Sequence, residues 1–198
     1  LDFDPSSLLR AKEALTGCSC PFDLIHANFV DLASVLRTHG VEGCDVILAD
    51  LGISSAQLDD PARGLSFQSD GPLDMRLDPT LTVKASALIN RLSEKELGDL
   101  FFTNAQEYKG RRIAKRICEA RRDGRITTAA RFTTLVCEAL GVSGDSRKSK
   151  THPATRAFQA IRTTVQGEHE NAREVGVSSF VGVVLHGLGD QPVPRPLV

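Results

Sequence analysis

The stretch CDVILAD at residues 44–50 decides the reading of this chain. It is short, apolar and β-branched in its middle, as a strand buried on both faces should be, and it ends on a carboxylate. Working back from it, residues 30–36 read as a helix and Phe22-Asp23-Leu24-Ile25 as a short strand. Before these, Asp4-Pro5-Ser6 marks a helix start with proline in the first turn, and Leu8, Leu9, Ala11, Ala14 and Leu15 supply its apolar face. Residues 1–3 read as the end of an earlier strand. Strand, helix, strand, helix, strand over this span implies an α/β fold with a parallel sheet.

Forward of residue 50 the periodicity stops. Residues 50–79 are rich in Gly, Pro, Ser and Asp, and so long a stretch without regular structure points to a functional loop. Helical signals then return. Ser93-Glu94-Lys95-Glu96 has the pattern of a capping box opening a helix through Phe102. Residues 107–122 form a helix with Ile113 and Ile117 on one face, and residues 128–140 form another. Residues 141–151, GVSGDSRKSKT, read as a flexible basic linker, and residues 152–165 as a last helix with Pro153 in its first turn.

A length of 198 residues fits one domain, or one with a small insert. No apolar run approaches the roughly 18 residues of a membrane span and no signal peptide opens the chain, so a cytoplasmic protein without a membrane partner is expected. The five cysteines (Cys18, Cys20, Cys44, Cys118 and Cys137) lack the paired spacing of a zinc site and are expected to be reduced thiols, with no metal bound. The net charge of −1 conceals an asymmetry. Residues 1–80 carry 5 basic and 13 acidic side chains, whereas residues 81–198 carry 19 and 12. The second part is therefore expected to meet a polyanion.

In doubly wound sheets ligands bind beyond the carboxyl ends of the strands. Three polar signals stand at those ends here: Asp2, His26-Ala27-Asn28-Phe29, and Asp50-Leu51-Gly52. A carboxylate can accept both hydroxyls of a ribose, a ring after the next strand can stack on adenine, and Gly52 lets backbone approach a small ligand. The plainer alternative is a turn or helix cap for each aspartate and a core position for Phe29. Residues 107–125 hold 8 basic and 3 acidic side chains, among them Arg111, Arg112 and Lys115. Such a surface is either a solvated helix face or a site for phosphates, and nearby His152 and Arg156 favour RNA.

The segment DLGISSAQLDDPARGLSFQSDGPLDMRLD, residues 50–78, resembles the signature of the bacterial small-subunit rRNA cytosine-N4 methyltransferases, a pattern shared by mitochondrial relatives. THPATRAFQAIR, residues 151–162, resembles that family's second signature. The resemblance covers residues 1–168. It implies a class I methyltransferase (Rossmann-like) α/β sheet, here incomplete, with an inserted all-helical subdomain. On that basis residues 1–82 would be a partial cofactor domain, 83–150 an RNA-facing helical insert, and 151–198 the return to the α/β domain with a divergent tail.

The resemblance further implies S-adenosyl-L-methionine as cofactor and ribosomal RNA of the small subunit as partner. By position Asp2 looks like the acid on the cofactor ribose and Phe29 like the residue beside the adenine. Asp50 and Gln57 match the remaining cofactor contacts. The tract around Asp74-Met75-Arg76 is similar to the border of the target-base pocket. Asp74, Arg76, Arg111, Arg112, Lys115, His152 and Arg156 are thus the expected RNA contacts, and Asp50 the expected catalytic acceptor.

Two departures from the pattern carry expectations. The family's Gly-rich loop, which contacts the methionine end of the cofactor, would lie upstream of Leu1, so the sheet is expected to lack its central strand and the chain alone to hold cofactor poorly. The match fades at Gln166-Gly167-Glu168-His169, and residues 175–198 read as a tail from a shifted frame or misplaced gene boundary. Two other classes fit parts of the chain. A non-catalytic RNA-binding protein would keep the basic helix without the three strand ends. A nucleotide-dependent dehydrogenase would share the acid at a strand end but not the long loop.

Overall fold

The computed structural model describes residues 1–44, 46–50, 52–142, 152–167 and 182–186. The chain divides into two compact units, residues 1–52 with 171–198 and residues 53–170. Residues 143–151 of the linker expected at 141–151, and most of the tail, lie outside the described residues.

In the first unit, helix α1 (Pro5–Ala14) starts where the Asp-Pro-Ser signal places it, with Pro5 in the first turn and the Asp4 side chain accepting from the Ser6 amide. A 3-10 turn at Phe29–Asp31, capped by Asn28, runs into α2 (Leu32–Thr38). Strand β1 (Val46–Asp50) forms as read. The strand expected at residues 22–25 does not. Pairing there is confined to one parallel bridge between Asp2 and His26, with Asp2 N donating to Ile25 O at 3.2 Å and Ala27 N donating to Asp2 O at 3.2 Å.

The parallel pairing expected of β1 is not seen among the described residues. β1 pairs antiparallel with β2 (Gly182–His186), Val46 opposite His186 and Asp50 opposite Gly182, and this is the only sheet among the described residues. Nor is β1 buried on both faces, since Val46, Ile47 and Leu48 are 50%, 55% and 61% exposed. An apolar run makes a strand by β propensity, but burying it needs layers over each face. α1 and α2 bury none of their residues, and Phe29 is the one buried apolar residue described in this unit.

The second unit is helical and holds the core. Its elements are α3 (Ser55–Leu58), α4 (Ala85–Arg91), α5 (Glu94–Ala105), α6 (Gly110–Asp123), α7 (Ala129–Leu140) and α8 (Thr155–Val165). α5 packs on α6 and α8, and α6 on α7. The capping box of α5 is made in full: Ser93 N donates to Glu96 Oε2 at 2.7 Å, and Glu96 N donates to Ser93 Oγ at 3.3 Å. Ile113, Ala114, Ile117 and Ala120 recur at helical spacing on α6 and are all buried, with Leu97, Phe101, Phe132, Leu135 and Ile161 completing the core.

The loop after β1 is not an open stretch. It makes one turn of helix and then buries Leu65, Leu73, Met75 and Leu77. Its backbone is paired at long range, Leu73 N donating to Thr127 O at 2.8 Å beside an antiparallel bridge between Pro72 and Thr128. Absence of sequence period therefore concealed a folded loop, because buried backbone polar groups can be satisfied by neighbouring segments as well as by a ladder. Among the described residues no helix is long and apolar enough to cross a membrane, and no cluster of His, Cys, Asp or Glu could hold a metal ion.

Candidate functional site

Of the expected cofactor contacts, three belong to the first unit. The parallel bridge sets Asp2 beside the His26-Ala27-Asn28-Phe29 segment, and His26 Nε2 lies 3.0 Å from Phe3 O. Burial raises the pKa of the half-buried Asp2 carboxyl, against the opposing effect of the Asp4 amide, which donates to Asp2 Oδ1 at 2.8 Å. The second carboxylate oxygen keeps its capacity to accept a hydroxyl, which fits a ribose. Phe29 is buried at 8% exposure. Asp50 closes β1, and its backbone alone is described.

Gln57 belongs to the second unit and is almost fully buried. Its side-chain oxygen accepts from Ser54 N at 2.9 Å, and its own amide donates to Ser54 Oγ at 3.2 Å, a second capping box. Ser54-Ser55-Ala56-Gln57 is the S-x-x-Q pattern, so this local role was readable from the sequence.

The two signature segments meet in the second unit. Phe67, from the first, stacks face to face on His152, from the second, at 4.1 Å, and Phe158 packs edge-on to Phe67 at 6.3 Å. The amide nitrogen of Gln166 donates to Met75 O, and its oxygen accepts from Leu77 N at 3.4 Å. Met75 sits in the left-handed region at φ 62° with no exposed surface. Backbone of that kind persists where its surroundings over-determine it. Gln166 does so here, with Arg63 O accepting from Met75 N at 2.7 Å. Sequence reasoning missed Gln166, since nothing in spacing or residue type distinguishes it from a surface glutamine at a helix end.

Asp74 and Arg76 face each other across Met75. Arg76 Nε and Nη2 donate to the two Asp74 oxygens at 2.6 and 3.0 Å, and Lys84 Nζ lies 2.9 Å from Asp74 Oδ2. Arg76 Nη1 also donates to Leu81 O at 2.7 Å. Burial works against ionisation of Asp74, but the hydrogen bonds from Arg76 and Lys84 outweigh it and hold its pKa below 3.8. The stabilisation from the ionised carboxyl is complete above the ordinary carboxylate value and is lost as pH falls through the lower folded one. Asp74→Asn is expected to cost about 1–2 kcal/mol at neutral pH. It should also flatten the decline of stability below pH about 4. Urea titrations from pH 6 to 2 check this, and parallel curves for the two proteins would contradict it.

The basic helix sorts its cations. Arg111, Arg112, Lys115 and Arg122 are exposed on α6. Arg116 pairs with Glu138 at 2.6 Å, and Arg121 Nη1 donates to the carbonyls of Ile89 and Leu92 at 3.0 and 2.6 Å, so these two hold the fold. Arg156 is exposed, and its Nη1 donates to Gln106 O at 3.4 Å. His152 is part-buried, and its Nδ1 accepts from Ala154 N at 3.1 Å. Burial raises the thiol pKa of Cys118 and Cys137.

The profile describing the MraW methylase family matches residues 1–184, beyond the point where the signature resemblance fades. A ribosomal RNA small subunit methyltransferase H of Syntrophobacter fumaroxidans is 40% identical over 171 residues, 86% of this chain and 53% of that protein. Its namesake in Thermomicrobium roseum is 40% identical over 190 residues, 94% of this chain and 56% of that protein. A third, from Sorangium cellulosum, is 36% identical over 206 aligned positions, 100% of this chain and 64% of that protein. The chain thus spans little more than half the length of these relatives.

Proposed function

The chain belongs to the MraW methylase family, and from that membership we propose that it serves S-adenosylmethionine-dependent N4-methylation of a cytidine in small-subunit ribosomal RNA. The observation that carries this reading is the meeting of the two signature segments, Phe67 on His152 and Phe158, in one packed unit, with Gln166 just beyond the second one holding Met75 and Leu77 of the first. We read residues 83–150 as the RNA-facing insert on a class I methyltransferase α/β domain.

In this reading Asp2 holds the cofactor ribose and Phe29 lies beside the adenine. Gln57, whose oxygen is used by the capping box, shapes the loop that follows β1. S-adenosylmethionine would supply a methyl group on a sulfonium, an electrophile with a good leaving group. The chain's task is then to make N4 of cytosine nucleophilic. That nitrogen's lone pair is delocalised into the ring, and a carboxylate accepting an N4 hydrogen bond localises it and takes up the proton. Asp50, at the carboxyl end of β1, is the acceptor proposed. The base must leave its stack to enter such a site, and alignment of N4 with the methyl carbon does much of the remaining work. Asp74 and Arg76, fixed by their mutual pairing, would contact the RNA.

The exposed α6 cations would take phosphates. Replacing Arg111, Arg112 and Lys115 together with Gln is expected to lower the slope of log affinity against log salt by about 2 for a single-stranded RNA, at about 0.7 per phosphate contact. Binding titrations across a salt series check this, and an unchanged slope would remove these residues from the interface. Labelled methyl recovered on cytosine N4 separates the enzyme from a non-catalytic RNA-binding protein, which would bind the same RNA and leave it unmodified.

A further inference from the structure

We propose that Phe102 and Tyr108, at the turn between α5 and α6, form a stacking platform for unpaired bases of an RNA strand whose phosphates run along the α6 cations. The proposal deepens the RNA-facing reading of this unit and rests on it. Phe102 is 55% and Tyr108 77% exposed, and their rings meet edge to face at 5.8 Å. Two large rings left in water beside each other do not serve the core, to which the neighbouring Phe101 turns from another face of the same helix. Around them stand exposed Lys109, Arg111 and Arg112, and the Arg156 guanidinium is brought to the turn by its hydrogen bond to Gln106 O. The acidic neighbours are Asp99, one turn back on α5, and buried Glu107, whose oxygen is taken by the Lys109 amide at 2.9 Å.

Aromatic faces interleaved with cations are the general device for single strands, because every base has a face to stack and every nucleotide a phosphate. A duplex, with its bases stacked internally, offers no such face.

The turn presents the rings on a fixed frame. Gln106 adopts φ 50°, Glu107 N donates to Phe101 O at 3.1 Å and Gly110 N donates to Glu107 O at 2.9 Å. α5 is tied to α8 nearby by Asn104, whose Nδ2 donates to Thr164 Oγ1 at 2.8 Å. The rings therefore need little ordering on binding, which favours affinity.

The chain contains one tyrosine and no tryptophan, so its tyrosine emission reports on Tyr108 alone. The test titrates the full chain with a 12-nucleotide unstructured RNA, with an abasic strand carrying the same phosphates, and with a duplex. Stacking predicts that the RNA quenches the emission, corrected for nucleotide absorption, while the abasic strand and the duplex bind without quenching it. Tyr108→Ala should weaken single-strand binding about 5- to 30-fold and leave duplex binding within about twofold, whereas Tyr108→Phe should retain it. Binding without quenching, and unaffected by Tyr108→Ala, overturns the platform and leaves the RNA-facing reading standing. No binding of any strand overturns both. Loss of self-association in Tyr108→Ala, with RNA binding unchanged, would assign the rings to a protein contact instead and overturn the proposal.

Discussion

Asp50→Asn is expected to lower the rate of methyl transfer about 10²- to 10⁴-fold, the range by which a positioned proton acceptor contributes. Asparagine keeps the size of the side chain and one oxygen able to accept from N4, so the base would still be held. What it lacks is the charge that draws the proton away as the nitrogen attacks. The loss should therefore appear in the rate of a single turnover and not in affinity for RNA, which the α6 cations are proposed to supply. Asp50 closes the strand that the sequence marked most clearly. A variant retaining more than a third of the wild-type single-turnover rate would move the acceptor role to another group.

Gly64→Ala is expected to be a severely damaging single-methyl change in the second unit. A Cβ at Gly64 would lie 1.9 Å from Pro72 O and 3.3 Å from Leu73 Cα, and the backbone there has φ +61°. Neither neighbour is the yielding end of a side chain. Pro72 bridges Thr128, and Leu73 N is hydrogen-bonded to Thr127 O. The loop would have to part from α7's entry, exposing Leu73 and Met75. A loss of about 3 kcal/mol or more is expected, a fall in melting temperature of roughly 6–12 °C for a chain of this size. Gly141→Ala isolates the cause. Its φ is +71°, but nothing lies within 4 Å of the added atom, so it should cost only the left-handed backbone, about 1–2 kcal/mol. Equal losses in the two variants would show that the close approach is not what matters.

The helical unit was legible in the sequence because its signals are local. The Ser93–Glu96 capping box and the Ile113 and Ile117 spacing each depend on a few neighbouring residues, and their helices form where the signals stand. The last helix, read from residue 152 with Pro153 in its first turn, starts instead at Thr155, two residues past the proline. The sheet was less legible. The apolar run at residues 46–50 does form a strand, but burial and parallel pairing depend on partners distant in sequence, and here the partner is Gly182–His186, running antiparallel. The loop shows the same limit in reverse. Its Gly, Pro and Asp residues read as open chain, yet Leu73, Met75 and Leu77 are buried and held by Gln166, whose contact spans 91 positions.

At the candidate site, residue type identified which groups have chemistry to offer, and geometry shows which neighbours some of them bond within the chain. Gln57 spends its oxygen on a helix cap, and Asp74 and Arg76 spend their charges on each other. The exposed rings at Phe102 and Tyr108 carried no signal, because an aromatic at helical spacing reads as core until its exposure is known.

The most direct test of the account is the modification itself. Small-subunit ribosomal RNA is digested to nucleosides from cells with and without this gene, and N4-methylcytidine is measured by mass spectrometry. The account predicts that one N4-methylated cytidine is lost on deletion, returns with the wild-type gene and does not return with Asp50→Asn. An unchanged N4-methylcytidine content after deletion would contradict it.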